Sequence, residues 1–199
     1  MMKTAIYFIR HGEVFNPKGI LYGRLPRFGL SVQGKKELAQ TAAFLATQQI
    51  DYLYSSKQLR AKQSAQIIQA QLHLPLHLSN NLLEVKTSLQ GRTFQYISTL
   101  NYDIFVHPDK KIVGETIQDV ANRMQKFMLS VLKKHPGKKI VAVSHGDPIM
   151  LVKAQIEGLP IVNESIRPSD NTYVGHGEVY LVEREDNKSL TIQSIFKPN

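Results

Sequence analysis

The sequence contains no cysteine, and that absence excludes several kinds of chemistry. None of the 199 residues carries a thiol. The chain therefore forms no disulfide, no thiolate metal site and no covalent thiol intermediate. If it performs covalent catalysis, another type of side chain must be the nucleophile.

Long apolar runs are missing as well. The longest run near the start covers residues 5–9 and ends at Arg10 and His11. A membrane helix needs about 20 consecutive apolar residues, and this run is followed by no signal-peptide cleavage pattern. We therefore expect no membrane partner, and the lack of a targeting segment favours a cytoplasmic location.

Negative charge is in short supply, with 16 acidic residues against 25 lysines and arginines and a formal net charge of +9. The basic residues are scattered, and no basic tract alternates with aromatic residues as it does in proteins that bind single strands. This pattern indicates a solvated basic surface and no nucleic-acid partner. The same positive field would attract phosphorylated substrates.

Apolar periodicity and turn residues predict strands that alternate with helices. The predicted strands are 4–9, 51–54, 76–78, 139–143, 178–183 and 190–196, the last two joined by a turn at 186–187, and the predicted helices are 32–48, 57–71, 94–100, 117–134 and 148–157. This order is typical of an α/β fold, a three-layer α/β/α sandwich around a mainly parallel sheet. Because no linker or repeat interrupts it, we expect one domain over residues 1–199.

Two predicted strands end in a histidine that is followed by a glycine. His11-Gly12 closes the first strand, and His145-Gly146 closes the strand at 139–143. Because ligands bind beyond the carboxyl ends of parallel strands, the two histidines should meet at one edge of the sheet. The glycines allow backbone N–H groups to approach an anion closely.

Arginines join the histidines at this edge. Arg10 precedes His11, and Arg60 lies one helical turn after the pair of serines that closes the second strand. Guanidinium groups match phosphate oxygens in a bidentate way. Two arginines and two histidines at one edge therefore predict an anion site.

No metal or cofactor motif accompanies these residues. His73 and His77 are four positions apart, but Pro75 between them breaks a helix, so they do not form a helical metal-binding pair. A Walker-type lysine loop is also missing. We expect neither a metal nor a cofactor.

The motifs resemble those of the histidine phosphatase superfamily, which includes the cofactor-dependent phosphoglycerate mutases. The resemblance covers most of the chain and implies a phosphoglycerate mutase-like fold. The segments that carry it are Arg10-His11-Gly12-Glu13, Asn16 with Tyr22-Gly23-Arg24, Leu30-Ser31 with Gly34, Ser55-Ser56 with Arg60, Leu83-Glu84 with Gly91, Gly114-Glu115-Thr116 with Arg123, and Val143-Ser144-His145-Gly146.

The resemblance also implies a mechanism. His11 would attack phosphorus and form a phosphohistidine, while Arg10, Arg60 and His145 would stabilise the charge of the transferring group. Glu84 would protonate the leaving oxygen and then activate water. Glu13 is the rival acid, and we interpret it as an orienting group.

The residues expected to bind substrate are Asn16, Tyr22, Gly23, Arg24 and Gly146. Three features depart from the family pattern, and one is the acid loop at 86–91, which lacks the usual acidic or aromatic neighbours. Val14-Phe15 stands where a small hydroxyl residue is common, and Asp147 follows Gly146, where an anion would repel phosphate unless it points away.

Three functions follow from these residues. The favoured one is a phosphatase acting on a small phosphorylated substrate. A mutase would return the phosphoryl group to its product, but the covering segment 86–113 is short. A non-catalytic phosphate-binding or phosphoprotein-binding domain would need neither a nucleophile nor an acid. The sequence leaves the identity of the substrate and the oligomeric state open.

Overall fold

The computed structural model describes residues 3–106, 114–167, 172–185 and 189–199. Strands and helices alternate through most of the chain. The strands are β1 (Lys3–Arg10), β2 (Tyr52–Ser56), β3 (Leu76–Ser79), β4 (Lys139–Ser144), β5 (Val179–Glu185) and β6 (Thr191–Phe196). The helices are α1 (Val32–Ala46), α2 (Leu59–Leu72), α3 (Phe94–Ser98), α4 (Ile117–Lys134), α5 (Gly146–Ile156) and α6 (Asn163–Ile166), with a 3₁₀ turn at Asn80–Leu82.

The described residues form a six-stranded sheet with the order β3-β2-β4-β1-β5-β6. Strands β3, β2, β4 and β1 run parallel to one another. Strand β5 runs antiparallel to β1, and β6 runs antiparallel to β5. The prediction of a mainly parallel sheet is therefore confirmed.

Helices cover both faces of the sheet, because the central strands are apolar on both sides. Ile6 and Phe8 of β1 pack in a cluster with α4 and α5. Tyr7 and Ile9, on the opposite face, pack with α1 and α2. Alternate side chains of a strand point to opposite faces, so this apolar run needs two covering layers. The predicted three-layer α/β/α class is confirmed.

Most predicted elements are present, with small changes at their ends. Helix α4 has the predicted bounds, because a capping box between Thr116 and Asp119 defines its start. Helix α5 begins at Gly146, two residues earlier than predicted. The predictions include no helix at α6, whose four residues are too few to show a period. The predicted turn at 186–187 lies outside the described residues, as do positions 107–113 of the covering segment.

The pairing register brings the carboxyl ends of the central strands together. Arg10, at the end of β1, is opposite Ser144, at the end of β4. Ser55 of β2 is opposite Val143 on the other side of β4. The residues that follow these strands therefore gather at one edge. Within the described segments, we find no helix that is long and apolar enough to cross a membrane.

Candidate active site

His11 is buried immediately after β1, and its ring is held by two hydrogen bonds. Its Nδ1 lies 2.8 Å from the carbonyl oxygen of Gly12. A carbonyl oxygen only accepts, so Nδ1 carries the proton and Nε2 has the lone pair. Burial and the charges of Arg60 and Arg10 hold the pKa of His11 well below its usual value. The ring is therefore neutral, with a nucleophilic nitrogen.

Arg60 lies in the first turn of α2 and directly contacts that nitrogen. Its Nε donates to His11 Nε2 at 3.0 Å. Its Nη2 donates to the carbonyl oxygen of Gly23 at 2.9 Å, and its guanidinium carbon is 4.6 Å from the centre of the Tyr22 ring. The side chain is only 1% exposed. These contacts keep a buried cation beside the nucleophile.

His145 caps the start of α5 and faces His11, with the two ring centres 5.1 Å apart. Its Nε2 lies 2.8 Å from the hydroxyl oxygen of Ser56. Its Nδ1 has no hydrogen-bond partner in the part of the chain that the structure describes, and it is 3.8 Å from Glu84 Oε2. Burial and Arg60 lower the pKa of His145 well below the usual value. A phosphate oxygen could satisfy Nδ1 if that nitrogen carries the proton.

Glu84 places a carboxylate beside both histidine and arginine. Its Oε2 is 3.8 Å from Arg60 Nη2, and its Oε1 accepts from the backbone N–H of Val85 at 2.9 Å. Burial, reinforced by the negative charge of Asp147, raises the pKa of Glu84, while Arg60 opposes the shift. The net upward shift of the Glu84 pKa is in the direction that a general acid needs.

Arg10 enters the site from the end of β1. Its Nη1 donates to the carbonyl oxygen of Val174 at 2.7 Å, and its guanidinium carbon lies 5.4 Å from the centre of the Tyr173 ring. Among the described residues, none accepts a hydrogen bond from its buried Nε. The structure therefore places Arg10 with the other four residues expected to be catalytic.

Two adjacent cavities open onto this group. The larger, of about 480 Å³, is lined by Arg10, Asn16 and Tyr22 among others. The smaller, of about 140 Å³, is lined by Arg10, Tyr22 and Glu84 among others. Because both are bordered by Arg10, Tyr22 and Phe94, they meet at the candidate site.

The residues expected to bind substrate have different positions. Tyr22 lines both cavities, and Gly23 lines the smaller one. Asn16 lines the larger cavity, but its side chain also closes its own loop through the backbone of Ile20, at 2.9 and 3.3 Å. Gly146 is the first residue of α5, and a Cβ there would collide with the hydroxyl of Tyr173.

Arg24 differs from the expectation, since it lines neither described cavity. Its Nε donates to the carbonyl oxygen of Glu84, and its Nη2 forms an ion pair with Glu115, both at 2.7 Å. Its donors are thus turned toward the loop that carries Glu84. These contacts favour a positioning role for Arg24, and its expected role in substrate binding stays a prediction.

The side chain of Glu13 is hydrogen-bonded to Ser31. Its Oε1 accepts from the hydroxyl of Ser31 at 2.6 Å, and that same hydroxyl oxygen accepts from the N–H of Gly34 to cap α1. Glu13 lines the larger cavity, whereas Glu84 lines the smaller one. This geometry favours Glu84 as the acid and an orienting role for Glu13.

Sequence reasoning missed His176, whose ring centre is 5.8 Å from that of His11. It lines the larger cavity, and burial together with Arg10 lowers its pKa to about 3. The flanking residues Gly175 and Gly177, just before a strand, were the available signal.

A second group was also missed. The carboxylate of Asp147 is buried, and it accepts from Arg167 Nη2 at 2.7 Å and from the Tyr173 hydroxyl at 2.6 Å. The expected repulsion of phosphate by Asp147 is therefore reduced by these two partners. Only the unusual position of Asp147 after Gly146 marked this group in the sequence.

The expectation that no set of metal ligands exists needs correction. One ring nitrogen each of His11 and His145 and a carboxylate oxygen of Glu84 lie within 4.8 Å of one another. This spacing suits a metal ion, but Arg60 contacts Nε2 of His11 and its charge opposes a second cation there. Reaction without a metal stays a prediction.

Sequence comparison identifies relatives. The family model for the histidine phosphatase superfamily, branch 1, matches residues 6–188. An uncharacterized protein of Mycobacterium tuberculosis is 32% identical over 161 residues, which cover 78% of this chain and 80% of that protein. The uncharacterized phosphatase PhoE of Bacillus subtilis is 26% identical over 157 residues, which cover 78% of each chain.

Solved structures share the fold. YhfR of Bacillus stearothermophilus has a TM-score of 0.81 at 20% identity, over 96% of each chain. A mycobacterial glucosyl-3-phosphoglycerate phosphatase has a TM-score of 0.80 at 21% identity, over 99% of this chain and 100% of that one. These likenesses establish the fold, and the match over residues 6–188 establishes the family. The chain belongs to the histidine phosphatase superfamily, in its branch 1.

Proposed function

We propose that the protein is a phosphatase that hydrolyses small phosphomonoesters through a phosphohistidine on His11. The observation that carries this proposal is the grouping of nitrogens of His11 and His145 with an oxygen of Glu84 within 4.8 Å. A nucleophile, a cationic environment and a candidate acid then lie close enough together to act on one phosphoryl group. Binding alone needs no such set.

In the first step, His11 Nε2 attacks phosphorus and the bond from phosphorus to the alcohol oxygen breaks. Glu84 gives its proton to that oxygen, so the alcohol leaves neutral. The hydrogen bond from Arg60 Nε to His11 Nε2 must first be exchanged for one to a phosphate oxygen. Arg10 and Arg60 stabilise the charge on the three equatorial oxygens.

In the second step, water attacks the phosphohistidine. Glu84, now a carboxylate, accepts a proton from that water, and the bond between nitrogen and phosphorus breaks. His11 and protonated Glu84 are regenerated, and inorganic phosphate leaves. Neutral His11 suits the first step, because a protonated ring could not attack.

The names of several relatives support hydrolysis. The proposed activity corresponds to that named for PhoE, and phosphoserine phosphatase 1 of Hydrogenobacter thermophilus is 26% identical over 166 residues. A probable phosphoglycerate mutase of Cronobacter sakazakii, 26% identical over 169 residues, keeps mutase activity as the second candidate. We favour the phosphatase because the covering segment 86–113 is short, so water can reach the intermediate.

The test is replacement of the nucleophile. His11→Ala should abolish phosphate release from a phosphomonoester and abolish the acid-labile, base-stable phosphoenzyme that a rapid quench with labelled substrate traps. His77→Ala, at an exposed position on the edge strand β3, is the matched control and should retain both. Normal turnover in His11→Ala would refute the mechanism.

The same preparation separates the candidate functions. With a panel of phosphomonoesters a phosphatase releases phosphate, and with 3-phosphoglycerate, with and without a bisphosphoglycerate primer, it forms little 2-phosphoglycerate. Faster formation of 2-phosphoglycerate that depends on the primer would establish the mutase. Tight binding of phosphate with no turnover of any ester would establish a binding domain.

A further inference from the structure

The smaller cavity lies on the side of the site where the alcohol must leave. In a phosphoryl transfer the attacking and leaving atoms are roughly in line, so the leaving oxygen lies opposite His11 Nε2. Glu84 must reach that oxygen to protonate it. Glu84 lines the smaller cavity of about 140 Å³ and is not among the residues that line the larger one.

The walls of the smaller cavity are mostly apolar. Leu21, Phe94, Ile97 and Ile104 border it, and Tyr102 contributes an aromatic ring. Phe94 and Tyr102 stay 40% and 46% exposed, although large apolar side chains are normally covered. At the larger cavity next to it, Phe15 is 68% exposed. An apolar group that entered here would remove these surfaces from water.

The charged residues of this cavity are already compensated. Arg167 Nη2 donates to Asp147 Oδ2 at 2.7 Å, and Arg167 Nε donates to the carbonyl oxygen of Tyr102 at 3.1 Å. The hydroxyl of Tyr173 donates to Asp147 Oδ1 at 2.6 Å. Although burial lowers the pKa of Arg167, Asp147 raises it above its usual range. Asp147 and Arg167 therefore act as a neutral unit.

The two other arginines of the site carry enough positive charge to balance the phosphate and nothing more. A phosphomonoester dianion carries two negative charges, which Arg10 and Arg60 balance. In the proposed mechanism Glu84 starts protonated and adds no charge. Among the described residues that line the smaller cavity, no further cation is left without an anionic partner. A carboxylate on the alcohol part would lose its hydration there and gain no counter-charge.

We propose that the protein selects phosphomonoesters whose alcohol part is apolar and uncharged, and that the Asp147–Arg167 pair rejects esters whose alcohol part carries a carboxylate. This inference rests on the proposed phosphatase function. Asp147 determines specificity here because it cancels the charge of Arg167, the further cation among the described residues that line the smaller cavity.

The test uses two esters that differ only in charge, benzyl phosphate and 4-carboxybenzyl phosphate. Their leaving groups have nearly the same basicity, so the ratio of kcat/KM values reports recognition rather than chemistry. The wild-type enzyme should prefer benzyl phosphate by on the order of tenfold or more, since the extra carboxylate is desolvated without a partner. A ratio of one or below overturns the inference.

Variants then locate the cause. Asp147→Asn frees the charge of Arg167 and should move the ratio toward 4-carboxybenzyl phosphate by about tenfold, the usual scale for a charge-assisted contact. Any change in the pKa of Glu84 affects both esters equally and cancels in the ratio. The double variant Asp147→Asn/Arg167→Gln removes both charges and should return the wild-type preference. An unchanged ratio in Asp147→Asn overturns the inference.

A second variant, which removes the positive charge of the pair instead of the negative one, tests the inference if Asp147→Asn does not fold. Arg167→Gln leaves the Asp147 carboxylate without its cation, so discrimination against 4-carboxybenzyl phosphate should increase. A decrease overturns the inference. If the wild type releases phosphate from neither ester but isomerises 3-phosphoglycerate, the proposed function fails together with the inference. Release with the wrong ratio removes the inference alone.

Discussion

Burial acts in opposite senses on the two residues that we place at the reaction centre. It lowers the pKa of His11, which favours loss of the ring proton, and it raises the pKa of Glu84, which favours the protonated carboxyl. Both shifts favour the neutral form, because a charge is poorly solvated in the protein interior. A neutral nucleophile beside a neutral acid is the combination that phosphoryl transfer to His11 requires.

The role of Glu84 predicts a dependence on the leaving group. Glu84→Gln should lower kcat/KM for benzyl phosphate by roughly 10²-fold or more, the usual contribution of a general acid, and should change kcat/KM for p-nitrophenyl phosphate far less. A nitrophenolate leaves without a proton, whereas a benzyl alkoxide does not. Steady-state kinetics with both esters gives the ratio. Glu13→Gln is the matched control and should affect the two esters equally. If Glu13→Gln showed this dependence on the leaving group and Glu84→Gln did not, Glu13 would be the acid.

At the scale of structural elements, the loop that carries Glu84 is held by residues from distant parts of the chain. Arg24 Nε and Arg123 Nη2 both donate to the Glu84 carbonyl oxygen, at 2.7 and 3.2 Å. Glu115 pairs with Arg24 at 2.7 Å and with Arg123 at 2.9 Å. Its carboxylate also accepts from the N–H of Lys86 at 2.9 Å. Glu115 thus connects helix α4 with the loop that contains Arg24 and with the loop that carries Glu84.

This arrangement predicts that Glu115 affects catalysis without touching substrate. Glu115→Gln should lower kcat/KM for benzyl phosphate by on the order of tenfold, because a small displacement of the acid is costly. The loss for p-nitrophenyl phosphate should be smaller, since that ester does not need the acid. Glu164→Gln, at an exposed position on α6, is the control and should match the wild type. Equal losses for both esters would indicate a general structural defect instead.

At the scale of the whole molecule, the fold places three histidines with lowered pKa values at one edge of the sheet. His11 and His145 are fully buried, and His176 is held at a pKa of about 3. The unfolded chain would protonate each near pH 6.5. Between the folded and the unfolded pKa, the unfolded state therefore binds more protons, and acid favours unfolding.

We expect the free energy of unfolding to fall as the pH drops below about 6.5. The contribution of His176 should be fully present above that pH and should be lost toward pH 3, at no more than about 1.4 kcal/mol per pH unit. Urea unfolding at pH 7.5, 6.0 and 5.0 measures it. The raised pKa of Glu84 has the opposite effect on the pH dependence of stability. The decisive comparison is therefore His176→Gln, whose free energy of unfolding should fall less steeply with decreasing pH than that of the wild type. His77→Gln should follow the wild type, and equal slopes in all three would contradict the prediction.

Several features of the protein were determined by the sequence alone, because local forces encode them. The bounds of α4 follow from its apolar period and its capping box, which involve neighbouring residues. The gathering of His11, Arg60 and His145 followed from the order of strands, since parallel strands end at one edge. The three-layer fold followed from strands that are apolar on both faces.

Other features were decided only by the tertiary structure, because they depend on distances between residues far apart in the chain. The role of Arg24 depends on contacts with Glu84 and Glu115, which are 60 and 91 positions away. Asp147 pairs with Arg167 and Tyr173, which are 20 and 26 positions further along the chain. No sequence motif predicts this pairing. The pKa of Glu84 could not be inferred from sequence, since burial, Asp147 and Arg60 act on it in opposing directions. A local pattern specifies which element forms, whereas only the packed chain sets the burial and the charges around each side chain.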